Sequence, residues 1–311
     1  MERRARVNPP NVRECSHKWS ATHTDTLQTR GKTAGICGQK CRDSRAISAL
    51  KQVVTQTRER TLRAYSVRYT KSMTTQTFEA LAKSRFSARD FLNKPVDSKI
   101  LETILQTATQ SPSWSNTRGY MLAIAQGERK QQLIDAYTQK CKAMFRTKDA
   151  TLSEEERLIA QKMSQPDGDF PVMAPYPQSL KERSARLGLA LYKHLNIDRK
   201  DFPARNAHTL RNFQAFGAPV MGFVLVRRDF LPFAALDAGI MLQTLLLAAK
   251  EQGVDSCPLG VLATWRSPLD EVFDIPPEYA LITGFALGYA SEAHVNAFRA
   301  EHPPIELAQE K

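Results

Sequence analysis

Residues 85–91 read Arg-Phe-Ser-Ala-Arg-Asp-Phe and stand four positions before Pro95-Val96. Arg85, Ser87 and Arg89 alternate along this stretch, and alternate side chains of an extended segment point the same way. Two guanidinium groups and a hydroxyl would then converge on one spot, which is a donor set that suits a phosphate. Taken alone, these three residues are explained better as a solvated basic turn.

Helical and strand patterns follow this segment along the chain. Asp97 is a predicted helix N-cap, and the apolar spacing from Ile100 to Ala108 predicts a helix that ends near residue 109. Strands separated by long helices indicate a mixed α/β layer. The other predicted elements are helices over 75–84, 127–145, 179–195, 204–216 and 232–252, a helix or turn near 266–273, and strands over 121–125, 219–226, 254–259 and 279–289.

Two irregular loops interrupt these elements. Residues 111–117 read Ser-Pro-Ser-Trp-Ser-Asn-Thr, which is typical of a loop that ends the preceding helix. Residues 164–178 hold four prolines with Phe170 and Tyr176 between them. Long loops in compact domains are often lids or binding elements, but a plain surface excursion explains this one equally well.

The positive charge lies almost wholly at the N-terminus. The chain of 311 residues has 44 Lys+Arg and 32 Asp+Glu, a net charge of +12, and residues 1–72 hold 16 of these bases and five of the acids. Residues 73–311 therefore keep 28 bases and 27 acids and form a nearly neutral body. The overall charge would suggest nucleic-acid binding only through residues 1–72, so a nucleic-acid role is not favoured.

The leader, residues 1–72, has three interpretations. It is a disordered basic tail, an organelle transit peptide, or a segment outside the working protein with Met73 as the true start. We favour the last, because the first clear helical pattern follows Met73. Gly31-Lys32-Thr33 resembles the end of a phosphate-binding loop, but Thr26 stands where that loop needs glycine. A zinc site is not indicated, because these residues lack finger spacing: Cys15, His17, His23, Cys37 and Cys41.

Composition and missing motifs exclude several classes. The longest apolar stretch, Ala234–Ala249, is shorter than a membrane span and indicates a buried core helix. Five cysteines in a long chain do not suggest a disulfide framework, so a reducing, cytoplasmic setting is expected unless the leader directs the chain to an organelle. No hydrolase elbow, zinc-protease helix or dinucleotide fingerprint is present, and no metal is expected.

Two further stretches could bind a ligand. Asn116 offers a donor and acceptors for a planar heterocycle, although alone it is better explained as a turn residue. Cys257-Pro258-Leu259-Gly260 follows the end of a predicted strand, where proline and glycine would expose backbone N–H groups to a ligand. In isolation, a tight turn is the simpler interpretation.

Taken together, these pieces resemble the FMN-dependent nitroreductase family over residues 77–299. The order and spacing of several stretches carry the resemblance, since no single one is specific. These stretches are Arg85–Phe91 before Pro95-Val96, Ser111–Thr117, Phe216–Val220, Asp237–Gln243, Gly253–Gly260, Gly284–Gly288 and Asn296–Arg299.

The resemblance implies an α+β fold with a central mixed sheet flanked by helices, in a domain-intertwined homodimer with FMN at the subunit interface. It implies that Arg85, Ser87 and Arg299 hold the FMN phosphate, that Arg89 lies near the phosphate or the pyrimidine edge, and that Phe86 belongs to the same cofactor-binding segment. It also implies that Asn116 contacts the flavin ring or ribityl chain from a loop facing the partner, and that Pro258, Leu259 and Gly260 lie near flavin N5.

The implied activity is ping-pong hydride transfer. NADH or NADPH would reduce flavin N5, and a nitroaromatic, quinone or related acceptor would then take the electrons, so that no catalytic side chain is required. Trp114, Arg118, Phe170 and Tyr176 are the substrate-binding candidates. Arg118 departs from the family, which commonly has glutamine there, and it could favour an anionic substrate, stabilise reduced flavin, or face solvent.

Three rival functions stay open. The same scaffold could reduce enones or halogenated aromatics, or consume its own flavin. From another class, the chain could be a non-catalytic flavin-binding protein whose leader docks to nucleic acid or a membrane.

Overall fold

The computed structural model describes residues 77–172 and 174–309, which fall within one compact unit of the chain, Thr74–Lys311. The predictions made for residues 1–72 and for Met73 as the start lie outside the described residues. The helices are α1 (Phe78–Ser84), α2 (Ser98–Ala108), α3 (Gly127–Arg146), α4 (Glu154–Ser164), α5 (Gln178–His194), α6 (Phe202–Phe213), α7 (Phe233–Glu251) and the single turn α8 (Ser267–Asp270). The strands are β1 (Tyr120–Ala125), β2 (Val220–Arg227), β3 (Asp255–Leu259) and β4 (Tyr279–Gly288).

The four strands form one sheet in the order β1-β2-β4-β3. Neighbouring strands pair antiparallel, and among the described residues parallel pairing is limited to an isolated bridge between Ser87 and Ser256. The mixed character predicted for the sheet is therefore confined to that bridge. Gly222 lies opposite Phe285, and a Cβ at Gly222 would stand 2.2 Å from the Phe285 ring, so a side chain there would displace the ring.

A separate apolar core covers each face of the sheet. On one face, α3 and α6 pack around the fully buried Tyr137, Phe213 and Trp265. On the other face, α2 and α7 contribute Ile104, Met241 and Leu245. The α+β fold class is confirmed, and the sheet between two helical layers fixes the ends of β3 and β4, where the candidate site lies.

Most predicted elements are confirmed, and one helix was missed. Asp97 caps α2 as predicted, because its carboxylate accepts hydrogen bonds from the backbone N–H groups of Lys99 (2.8 Å) and Ile100 (3.4 Å). The missed helix is α4. It begins at a capping box formed by Ser153 and Glu156. Its apolar residues give little helical signal because Leu158 and Ile159 are both more than half exposed.

The apolar stretch in α7 is expected from the sequence to be too short to span a membrane, but the helix is longer than that stretch. It has 19 residues and a mean hydropathy of 1.4 over its most apolar window, so by length and composition alone it could cross a membrane. Half of that window is buried inside the protein. The buried Asp237 accepts hydrogen bonds from the Trp114 backbone, as expected of a core helix that anchors a loop.

Candidate active site

The segment that contains residues 85–91 is held in an extended form across the start of β3. The Ala88 N–H donates to the Ser256 carbonyl at 3.0 Å, and the Arg89 N–H donates to the Asn296 side-chain oxygen at 2.7 Å. The Asn296 amide donates in turn to the carbonyl of Asp90 at 2.7 Å. Ala88 is fully buried, whereas Arg85, Phe86, Ser87 and Arg89 are only partly buried.

The basic residues of this segment act on one thiol of β3. Burial raises the pKa of Cys257 to about 11, while the positive charges of Arg89 and Arg85 and the Ser87 side chain oppose that rise. Because the Cys257 thiol stays neutral near pH 7, it does not cancel the positive charge of this site.

The Arg89 charge also acts on a second neighbour. Burial is the main cause of the lowered pKa of His208, and the charges of Arg89 and Arg211 add to it. His208 therefore stays neutral near pH 7. Asp90 is the acid within this segment, and its carboxylate is already engaged by Arg211 and the hydroxyl of Ser291.

Arg299 joins this group from the C-terminal end of the fold. Its Nη1 donates to the carbonyls of Asn296 (2.6 Å) and Phe298 (2.9 Å), and its guanidinium lies 4.0 Å from the centre of the Phe86 ring. Arg89 lies 5.7 Å from the centre of the Phe298 ring. Residues 85–89, β3 and the turn His294–Ala297 thus come together through these contacts.

The end of β3 leaves room for a ligand. Pro258 and Gly260 are exposed, while Leu259 between them is buried. A Cβ built on Gly260 would meet no atom within 4 Å, so the backbone there borders open space. The Ser256 hydroxyl is buried and has no hydrogen-bond partner in the part of the chain that the structure describes.

The loop at 113–118 has a strained backbone and is held in place by the carboxylate of Asp237. Ser115, Asn116 and Arg118 all have φ near +50°, a region that costs free energy for residues other than glycine. Both carboxylate oxygens of Asp237 accept from the Trp114 N–H, at 3.0 and 3.1 Å. The exposed Trp114 ring packs 4.4 Å from the ring of Phe233 at the start of α7.

Arg118 lies at the end of α2. Its Nη1 donates to the Thr109 carbonyl at 2.6 Å, and its own N–H donates to the Ser113 hydroxyl at 3.1 Å. No hydrogen bond joins residues 113–118 to residues 85–89 within 77–172 and 174–309. Contacts within one chain therefore do not bring Asn116 and Arg118 next to the residues proposed to bind phosphate.

The proline-rich loop is anchored at its first half. Asp167 accepts from the N–H of Arg266 at 2.6 Å and from the hydroxyl of Ser267 at 2.6 Å. Asp169 accepts from Arg266 Nη1 at 2.9 Å, from the Leu281 N–H at 2.6 Å, and from Arg228.

The two aromatic candidates of this loop differ in their surroundings. Phe170 packs against the core on the α2 and α7 side, and Tyr176 is 61% exposed. No contact places either ring beside Arg85 or Arg89 within the described chain, so their role in substrate binding stays a prediction.

Sequence reasoning did not single out several residues that build this site. Asn296, Asp237 and Lys250 hold its parts together, but each acts on residues far away along the chain, and Asn296 lies 207 positions from Arg89. Asn296 and Asp237 lay within stretches that carry the family resemblance, which was the signal available. No group of three or more His, Cys, Asp or Glu residues able to hold a metal occurs among the residues described.

The residues present fit FMN. Arg85, Ser87, Arg89 and Arg299 supply the charged and hydroxyl donors that a phosphate monoester prefers. The open space at Gly260 admits a large planar group beside the strand end, and the unpartnered Ser256 hydroxyl is a further buried donor next to Ser87. The fold and the site together define an α+β protein with basic residues gathered beside β3, the edge strand of the sheet.

Comparison with known proteins assigns the family. The nitroreductase family model matches residues 82–289, and the chain belongs to the nitroreductase family. A 4-nitrobenzoate reductase from Pseudomonas putida is 29% identical over 243 residues, which cover 76% of this chain and 95% of that protein. A second 4-nitrobenzoate reductase, from Nocardioides sp. strain LMS-CY, is 27% identical and covers 72% of this chain and 85% of its own length.

A solved structure supports the same assignment. The FMN- and NADPH-dependent nitroreductase NfnB from Sphigopyxis sp. strain HMH superimposes with a TM-score of 0.63 at 27% identity, covering 75% of this chain and 99% of that one. The fold predicted from the sequence resemblance is therefore confirmed.

Proposed function

We propose that this protein is an FMN-dependent NAD(P)H oxidoreductase that reduces nitroaromatics, quinones or related acceptors. The observation that carries the proposal is that the extended segment with Arg85, Ser87 and Arg89 is bridged to β3 at Ser256 and bonded to Asn296, with the Arg299 guanidinium held over Phe86. The relative NfnB from Sphigopyxis is FMN- and NADPH-dependent, which supports the same cofactor and electron donor here.

The side chains of this site bind and orient. Arg85, Ser87 and Arg299 would hold the phosphate, while Arg89 would place positive charge beside the phosphate or the pyrimidine edge. FMN, when bound, supplies the two-electron hydride chemistry between the nicotinamide and the acceptor. Preorganised positive charge stabilises negative charge that develops on a neighbouring group, and this site supplies it without a titrating acid–base pair.

The β3 end would receive the ring system. The exposed backbone at Pro258 and Gly260 and the open space at Gly260 support placing a planar ring against this edge. Leu259 is buried between them and fixes the backbone in place.

We infer that a second copy of the chain completes the site. An apolar groove of about 780 Å³ runs between α1 and α7 and includes the exposed Phe78 and Leu236. Ile305 and Leu307 are more than four-fifths exposed in the C-terminal segment, and apolar patches of this kind mark interfaces. A homodimer would also bring the Asn116 loop of one subunit toward the cofactor of the other. Sedimentation of the full chain at the monomer mass would contradict this.

We propose that a carboxylated nitroaromatic is a preferred acceptor. Both 4-nitrobenzoate reductases reduce a substrate of this kind by name, and Arg118 stands on the exposed loop that also carries Trp114. A guanidinium pairs well with a carboxylate, and the indole ring suits an arene.

Replacing Arg118 with glutamine is expected to lower kcat/KM for 4-nitrobenzoate by about tenfold to a hundredfold and to leave that for nitrobenzene nearly unchanged, because a charge-assisted hydrogen bond contributes about 1.5–3 kcal/mol. Arg118→Lys is the control that keeps the charge. Equal losses on both substrates would assign Arg118 to the structure of the α2 end and would refute the substrate role.

Anaerobic spectroscopy tests the activity as a whole. Reduced nicotinamide is expected to bleach the visible absorption of the bound flavin, and a nitroaromatic added afterwards is expected to restore it. Benzoate, which has no nitro group, is the matched control. A flavin that binds but is not bleached by NADH or NADPH would support a non-catalytic flavin-binding protein instead.

We propose a cytoplasmic location with no membrane or nucleic-acid partner. The half-buried α7 and the free, buried Cys141 and Cys257 support a water-soluble protein in a reducing compartment. Cell fractionation that recovers the chain with membranes, or salt-sensitive retention on DNA, would contradict it.

A further inference from the structure

The Phe86 ring lies beneath the guanidinium of Arg299. The distance from the guanidinium carbon to the ring centre is 4.0 Å, well within the range of a cation–π contact. Phe86 is partly buried and packs against the core on the α3 and α6 side, so the ring is a fixed surface rather than a mobile one. Its direct sequence neighbours, Arg85 and Ser87, are residues proposed to hold the phosphate.

A second cation contacts the same ring. The Lys250 ammonium at the end of α7 lies 5.3 Å from the centre of Phe86. It is held there by Asp255, whose Oδ1 is 2.8 Å from Lys250 Nζ and whose Oδ2 accepts from the Ala290 N–H at 3.1 Å. Lys250 and Asp255 are both largely buried, which limits solvent screening of the pair.

Arg299 is an exposed residue in the same region as Arg85 and Arg89, so its guanidinium would move freely in solvent without a surface to hold it. Nη1 of Arg299 is fixed by the carbonyls of Asn296 and Phe298, and the ring face fixes the plane of the group. Nε and Nη2 have no protein partner in the described residues, so they are available to an anion.

We propose that Phe86 is a positioning residue that holds the Arg299 guanidinium for the phosphate of FMN, and that it thereby sets the preference for FMN over riboflavin. This inference rests on the proposed function. Phe86 acts through Arg299, so its contribution depends on the phosphate and not on the flavin ring. Riboflavin, which lacks the phosphate, does not engage Arg299 in this way.

A double-mutant cycle on the full chain tests this. After removal of bound flavin, FMN and riboflavin are titrated into wild type, Phe86→Leu, Arg299→Ala and the double variant, with flavin fluorescence as the readout. Phe86→Leu is expected to weaken FMN binding about fivefold to tenfold and riboflavin binding less than twofold, and to have almost no effect on FMN binding once Arg299 is alanine. Phe86→Tyr keeps the aromatic face and is expected to restore FMN affinity.

Several results would overturn the inference. Equal weakening of FMN and riboflavin would show that Phe86 supports the fold or the ring site, and an unchanged effect in the Arg299→Ala background would show that it does not act through Arg299. If Phe86→Leu does not fold, Phe86→Met takes its place in the same cycle with the same expected values. A wild-type chain that binds neither flavin would refute the proposed function itself. If the wild type binds FMN but the effects of Phe86→Leu and Arg299→Ala on FMN affinity simply add, this inference alone is refuted.

Discussion

Loss of Arg85 and Arg299 together is expected to lower FMN affinity by about a hundredfold to ten-thousandfold, because each charge-assisted contact to a phosphate is worth about 1.5–3 kcal/mol. The double variant Arg85→Ala/Arg299→Ala should then purify without its yellow colour and regain it only in a large excess of FMN. Riboflavin affinity should change much less, since riboflavin carries no phosphate. Flavin content after purification and fluorescence titration of the stripped protein measure both effects.

A matched control separates local from general electrostatics. Arg129 and Arg186 are exposed arginines on α3 and α5, and replacing both with alanine removes the same total charge from other surfaces. This control variant is expected to keep full flavin occupancy. If Arg85→Ala/Arg299→Ala also keeps full occupancy, the phosphate assignment is wrong.

The second large effect concerns the anchor of the proline-rich loop. Asp169→Ala is expected to lower the free energy of unfolding by about 3 kcal/mol and Tm by about 10 °C. The Asp169 carboxylate is 8% exposed and the Arg266 side chain is 11% exposed, so removing the acid takes away the acceptor of buried donors on Arg266 and Leu281 and leaves Asp270 as the remaining acidic partner of Arg266. Asp274→Ala, which changes an exposed acid in the turn after α8, is the control and should be nearly neutral.

The effect of Asp169→Ala should also depend on pH. Burial alone would raise the pKa of Asp169, but hydrogen bonds from Leu281, Arg228 and Arg266 outweigh it and hold the pKa below its usual value. A lowered folded-state pKa stabilises the fold above the unfolded-state pKa of about 4, and that stability is lost as pH falls further. The gap in Tm between wild type and variant should therefore shrink below pH 4, and a gap that stays constant would contradict the ion-pair explanation.

Local features of this fold were predictable because their causes are local. The Asp97 cap and the apolar stripe of α2 each depend on residues a few positions apart. The helix α4 escaped prediction because a capping box and charged residues begin it, while its apolar residues remain exposed.

The parts of the site that could not be predicted depend on distant partners. Asp169 reads as one acid in a loop of prolines, and its importance appears only because Arg266 and Leu281 fold back onto it from about a hundred positions away. From the sequence, Lys250 is only a basic residue at the end of a helix, and Arg118 is a charged residue expected near a ligand. The structure places Lys250 over Phe86 and the Arg118 guanidinium on the Thr109 carbonyl, and neither contact leaves a trace in residue spacing.

Basic residues from distant parts of the chain are proposed to form one binding site for FMN. Titration of the purified, flavin-stripped full-length protein with FMN, followed by its visible spectrum and fluorescence, measures this binding. Tight, saturable and stoichiometric uptake of FMN is expected, with quenching of its fluorescence. A protein that stays colourless and leaves the fluorescence of added FMN unchanged would contradict this proposal.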